Sequence, residues 1–417
     1  MKRMLLAACL LLLAALPSGA QQPDIDARLK AHPELLSGTD YLCPTAPTAP
    51  LTRAPKGYKP FYISHYGRHG ARYAWQSDLY DLIHGALSRA EEKDNLTEYG
   101  QAFKKRFDSL YPEVRYRVGD LSRKGWRQQE ELAGLMYARF PKVFSDGAEV
   151  RAWTSTSTRC VMTMSAFCQA LKGKNPKIDL FENFGKVFLP AILPQDSGNP
   201  FRNKDFEKTP VKISETWAQY IDRTVDCRSI LSRLFKDAGE SMAPDKQWNL
   251  VSYLWFLGEG MNSLDTDLDF RDLFTLDERI ALWKVDNFQF YTEAWPTHKG
   301  YQPIVDDIIA KADERIAAGR VGADLRFGHD YTILPLMQIL DVDGLGHDIL
   351  SADEIPVWSQ TYRVPMGANL QLVFYRSRKN PTVLFKVLLN GEEARLPLET
   401  DSWPYYDWQA FKARYGR

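Results

Sequence analysis

Ser64-His65-Tyr66-Gly67-Arg68-His69-Gly70-Ala71-Arg72-Tyr73 follows the apolar run Phe61-Tyr62-Ile63. The run reads as a buried strand, and the glycines behind it mark a sharp turn. Two arginines flank one histidine. Guanidinium groups are planar, permanently charged forks that suit phosphate oxygens. Such a neighbourhood repels a metal cation and attracts an anionic ester. It points to phosphoryl chemistry with His69 as nucleophile.

Two later stretches repeat the strand, turn and helix pattern. One is a strand near 149–153 leading into Ser157-Thr158-Arg159. The other is Asp324-Leu325-Arg326-Phe327-Gly328-His329-Asp330. In an open α/β sheet, ligands gather at the carboxyl ends of strands, where helix N-termini add free amide donors. A phosphate dianion could there meet Arg68, Arg72, Arg159 and His329 together. Between these stretches, Leu121-Ser122-Arg123-Lys124-Gly125 opens a helix capped by Ser122, with Trp126, Ala133, Met136 and Phe140 on one face. The helix after Arg159 is expected to bury Val161, Met164, Cys168 and Leu171.

These residues resemble the histidine phosphatase superfamily, in its second branch of acid phosphatases and phytases. The family pattern R-H-G-x-R-x-P is matched from Arg68 to Arg72, with Ala74 where proline is usual. Leu121 to Gly125 resembles its L-T-x-x-G segment. His329-Asp330-Tyr331-Thr332 through Pro335-Leu336 resembles H-D-x-T-x-x-P-L. The likeness spans about 60 to 400. It implies a phosphoglycerate-mutase-like three-layer α/β core, with a mixed, mostly parallel sheet and an inserted helical cap. It implies a phosphohistidine at His69, a phosphate clamp of Arg68, Arg72, Arg159 and His329, and Asp330 as general acid. No metal and no cofactor are expected. The segment from Leu273 to Trp283 also resembles the related multiple inositol polyphosphate phosphatases, although those carry H-A-E where this chain has His329-Asp330-Tyr331. The substrate is expected to be a small phosphomonoester. The alternatives are an inositol polyphosphate, a phosphomutase reaction, or phosphate-ester binding without turnover.

The expected organisation is a signal peptide over 1–20, an N-terminal arm over 21–60, a core over 61–204 and 321–417, and a helical cap over 205–320. Met1-Lys2-Arg3 precedes an apolar run from Met4 to Leu16, and Pro17-Ser18-Gly19-Ala20 offers a cleavage site. Export to the periplasm or the outside follows, without a membrane anchor. Leu6-Ala7-Ala8-Cys9 resembles a lipoprotein box but lies too early, with apolar residues behind it. The 53 basic and 53 acidic residues leave no excess for nucleic acid. Cys160 and Cys168 are eight apart on a predicted helix, about 12 Å, too far to bond each other. Cys43 and Cys227 stay open to bridges or free thiols. Near the end, Asn369 to Tyr375 and Thr382 to Leu389 alternate as antiparallel strands, and Asn390-Gly391 signals a hairpin. His65 reads as a packing residue, and His32, His84, His298 and His347 read as surface or packing residues. Trp75, Trp283 and Trp295 could line a pocket or fill the core. Arg202 and Lys204, beside Gly198-Asn199-Pro200, read as a solvated loop, with contact to a polyphosphorylated substrate as the alternative.

Overall fold

The computed structural model describes residues 24–46, 49–204, 206–237 and 242–417. The expected signal peptide and Cys9 lie outside them. The chain forms one eight-stranded sheet: β1 (Tyr58–Arg68), β2 (Glu149–Thr154), β3 (Asp179–Phe184), β4 (Gly322–Gly328), β5 (Asn369–Ser377), β6 (Leu384–Leu389), β7 (Glu392–Ala394) and β8 (Tyr406–Asp407). Its order is β3-β2-β4-β1-β5-β6-β7, with β8 on β6. The strands β3, β2, β4 and β1 run parallel, and β5 turns the sheet antiparallel. The fold is thus the mixed α/β sheet expected.

Helices cover both faces, which is why β1 is buried continuously from Phe61 to Arg68. Along it, side chains alternate between two cores. Tyr62 and Tyr66 face the helices Gln302–Ala318, Asp330–Leu340 and Trp408–Tyr415. Ile63 faces the helices Arg123–Arg139 and Thr158–Lys174. A third core gathers the helices Leu79–Glu92, Glu98–Val114, Pro244–Gly260 and the first half of Leu276–Ala294. The stretch 205–320 therefore divides: most of it joins this helical body, while its last helix lies on the sheet. In the helix Arg123–Arg139, Ala133 and Met136 are buried, but Trp126 is only half-buried, as is Val161 in the next helix. The Asn390-Gly391 hairpin is present, with both residues at positive φ, 52° and 84°.

Register decides where chemistry can occur. Arg68 pairs with Gly328 across β1 and β4, and Thr154 pairs with Phe327 across β2 and β4. Three strand ends therefore stop at one edge, and the turns after them converge. The helix Arg123–Arg139 fixes the first turn from outside. Ser122 caps it by accepting from Gly125 N–H at 3.0 Å. A Cβ on Gly125 would lie 2.0 Å from the Ala71 carbonyl oxygen, and one on Gly70 would lie 2.6 Å from the Gly125 oxygen. Only two bare backbones can approach this closely.

Gly125→Ala must therefore push the turn aside. We expect a stability loss of about 1–3 kcal/mol and loss of turnover. Gly134→Ala, on the same helix, meets nothing nearer than Lys174 Cε at 3.9 Å. It should stabilise by roughly 0.5–1 kcal/mol. Thermal melts of the two variants check the contrast.

Candidate active site

All six residues singled out in the sequence come together at the shared strand edge. Arg68 is buried at the end of β1. Its Nη1 donates to the carbonyls of Val364, at 2.7 Å, and Thr39. Its Nη2 lies 2.7 Å from Asp330 Oδ2, an ion pair without hydrogen-bond alignment. Burial lowers its pKa to about 10, with Asp330 opposing.

His69 follows at once and is also buried. Its Nδ1 lies 2.9 Å from the Gly70 carbonyl oxygen. A carbonyl only accepts, so Nδ1 carries the proton and Nε2 keeps the lone pair. Burial first, then Arg68, Arg159 and Arg72, hold its pKa well below the usual histidine value. The imidazole is neutral at physiological pH. Gly70 N–H is fixed by Thr163 Oγ1 at 3.0 Å and Ala71 N–H by Gln128 Oε1 at 3.1 Å.

His329 stands at the end of β4, its ring 5.6 Å from that of His69. Its Nε2 lies 3.3 Å from Ser155 Oγ and its Nδ1 lies 3.4 Å from Arg159 Nη2. Burial first and Arg159 second lower its pKa to about 3. Asp330 opens the next helix and accepts from Tyr331 N–H at 2.9 Å. Burial alone would raise its pKa, but Arg68 and Arg72 outweigh burial and hold it below the ordinary value.

Sequence reasoning missed two carboxyls. Asp40, buried at the end of a short helical turn, lies 3.5 Å from Arg72 Nη2. Burial raises its pKa against the pull of Arg72 and Arg68. Asp286 lies on the helix Leu276–Ala294 and faces the same cavity. Lost hydration, then Asp40 and Asp330, push it up to about 8. Both come from segments distant in sequence, and neither sits in a motif.

The other candidates fall outside the site. His65 packs between Phe167 and Phe327, at ring distances of 5.5 and 5.4 Å. His84 stacks on Tyr111, and His298 bonds the Trp295 carbonyl. Trp283 and Trp295 are core, whereas Trp75 lines the cavity. Arg202 and Lys204 do not line it. The cysteines Cys43, Cys160, Cys168 and Cys227 are free thiols, and Cys160 Sγ lies 3.6 Å from His329 Nε2. Among the described residues no helix is long and apolar enough to cross a membrane.

A neutral imidazole at a strand end, ringed by arginines and a paired carboxylate, defines a phosphomonoester hydrolase. The family model of the histidine phosphatase superfamily (branch 2) matches residues 67–390, and the chain belongs to that family. A search of curated proteins finds no match. Solved structures share the fold. The multiple inositol polyphosphate phosphatase of Bifidobacterium longum, with phosphate, is 18% identical with a TM-score of 0.71; the match covers 92% of this chain and 97% of that one. Its complex with inositol hexasulfate is 17% identical with a TM-score of 0.69, covering 90% and 95%. The phytase of D. castellii is 14% identical with a TM-score of 0.64, covering 96% and 87%.

The buried imidazoles make stability depend on pH. His65, like His329, has its pKa lowered to about 3, by burial and by Arg326. His69 is lowered as well. The unfolded chain takes up these protons near pH ~6.5, and the folded chain refuses them. Their contribution is therefore complete above about pH 6.5 and is lost as pH falls toward 3, at ~1.4 kcal/mol per pH unit for each imidazole. Urea midpoints should drop between pH 7 and pH 4. In His65→Leu, which leaves the arginine cluster intact, the drop should be shallower; an equal slope would contradict the assignment.

Proposed function

We propose that this protein is an exported phosphomonoesterase, acid-phosphatase-type or phytase-like, working through a phosphohistidine without metal. The observation that carries it is the orientation of His69: its Nδ1 proton is tied to Gly70, and its Nε2 is free beside Arg68, Arg72 and Arg159. Phosphoryl transfer is catalysed mainly by positioning and by charge set against the equatorial oxygens. The arginines bind those oxygens, and buried Nε atoms of Arg68, Arg72 and Arg159 lack a partner within the protein. A guanidinium only donates, so Arg159 Nη2 points a proton at His329 Nδ1, and His329 Nε2 carries the ring proton toward Ser155 Oγ.

In the first step, His69 Nε2 bonds to phosphorus as the ester P–O bond breaks. Asp330 gives its proton to the leaving oxygen. Water then attacks the phosphohistidine, Asp330 takes a proton back, and inorganic phosphate departs with Nε2 restored. Asp330 is charged beside Arg68 alone. A bound phosphate neutralises Arg68 and Arg72 and so raises its proton affinity. The helices Pro244–Gly260 and Leu276–Ala294, which wall the cavity, serve as the cap. The fold likeness to an inositol polyphosphate phosphatase keeps that substrate class as the second reading. A binding protein without turnover would need only the arginines.

His69→Ala should abolish phosphate release and the trapped phosphoenzyme together, and chelator should change neither in the native protein. Asp330→Asn should slow alkyl esters by about 10²–10⁴ and aryl esters far less, because aryl leaving groups need little proton help. Initial rates on the two ester classes read this directly. Equal slowing would move the acid role to another group, with Asp286→Asn the next variant to assay.

A further inference from the structure

Resting on the reading of His69 and its arginines as the phosphate site, we propose that the adjoining cavity selects monophosphates carried on an uncharged ring and rejects inositol polyphosphates. The ring is that of a sugar or a nucleoside.

The cavity holds about 410 Å³ and opens directly from His69, Arg72 and Arg159. Its size does not decide the substrate; its charge does. Arg72 and Arg159 are the only cationic side chains lining it among the described residues, and both belong to the reacting phosphate. The ionisable groups farther along the wall are the carboxyls Asp286 and Glu293. Every additional phosphate would thus lose water and gain no counter-ion from Asp286 or Glu293. Arg202 and Lys204, the basic pair closest to a polyphosphate signal in the sequence, stand outside this wall.

The rest of the wall suits a neutral ring. Trp75, Trp217, Trp248, Tyr253, Phe256 and Phe290 line it. Trp217 and Trp248 meet edge to face at 5.6 Å, and Trp75 is 58% exposed. Such rings offer large apolar faces for stacking at small entropic cost. Three buried donors in this wall, Gln76 Nε2, Trp217 Nε1 and Trp255 Nε1, have no partner within the protein. Gln76 and Trp255 are only 6% and 3% exposed. These N–H groups are neutral and cannot balance a phosphate's charge. Asp286, pushed up to about 8, keeps its proton at neutral pH and adds a further neutral donor.

The test compares phosphate release from a hexose 6-phosphate, a nucleoside 5′-monophosphate, glycerol 3-phosphate and inositol hexakisphosphate. At least one ring monophosphate should exceed glycerol 3-phosphate about tenfold and the hexakisphosphate at least ~100-fold in kcat/KM. Whichever ring arm leads identifies the source. Turnover of the hexakisphosphate equal to or above both ring substrates would overturn the proposal. In Trp75→Ala, the ring-to-acyclic ratio should fall several-fold, and an unchanged ratio would remove the stacking argument. If no substrate, p-nitrophenyl phosphate included, releases phosphate, the catalytic reading fails. The cavity is then judged by calorimetry on His69→Ala. Tighter binding of a ring monophosphate than of the hexakisphosphate sustains the inference, and the reverse order ends it.

Discussion

Three guanidinium groups crowd around one neutral imidazole at the floor of a cavity. Arg68 and Arg72 are almost wholly buried, and their charges repel each other and any proton on His69. Left alone, such a cluster is costly. Two carboxyls, Asp40 and Asp330, offset part of it, at 3.5 Å from Arg72 and 2.7 Å from Arg68. Neither pairing is complete. Arg68 Nη2 and Nε and Arg72 Nε remain without a hydrogen-bond acceptor in the protein. The site is balanced short of neutrality, and a tetrahedral dianion fits the remainder. The same imbalance keeps His69 unprotonated, so binding power and nucleophilicity share one electrostatic cause.

The fold exists to hold these like charges together. No single element could, because the charges would swing apart on flexible side chains. Here β1, β2 and β4 end in register, and each strand end commits the next residues to a fixed turn. Arg68 is anchored through the carbonyls of Thr39 and Val364, which come from opposite ends of the chain. The turn itself is clamped against the helix Arg123–Arg139 through Gly70 and Gly125. A helix N-terminus, two distant loops and three strands thus converge on a few ångströms of backbone. This convergence gives the precise positioning that phosphoryl transfer demands.

Much of this was legible in the sequence, because the chemistry lies in short local patterns. Arg68-His69-Gly70-Ala71-Arg72 behind an apolar strand marks both the fold and the strand end where the candidate residues meet, and Asn390-Gly391 marks its hairpin. What escaped was set by long-range contacts. The edge strand β3 is mostly exposed and has no apolar run to mark it. The strand read at Asp324-Leu325-Arg326-Phe327-Gly328 is present, but the pairing of its charged Asp324 and Arg326 with Arg151, Arg315 and Asp307 was not legible. Within the expected helical cap, Trp217–Thr224 and Cys227–Leu231 are separate short helices, with Asp226 capping the second by accepting from Ser229 N–H. Asp40 and Asp286 carry no local signature at all. Their pKa values are raised by burial and by neighbours far away in the chain.

Net charge adds a last constraint. The chain is formally neutral, with 53 residues of each sign. A neutral protein casts little long-range field, and salt screens exposed charges beyond about 8–10 Å. The arginine cluster therefore cannot gather anions from a distance. Its field acts at short range, inside the cavity walled by aromatic rings. Those rings do two things at once: they keep the local dielectric low, which strengthens the grip on phosphate, and they present an uncharged surface to whatever the phosphate is attached to. The strand ends thus fix which bond can be broken, and the helical wall fixes which molecule can bring that bond within reach.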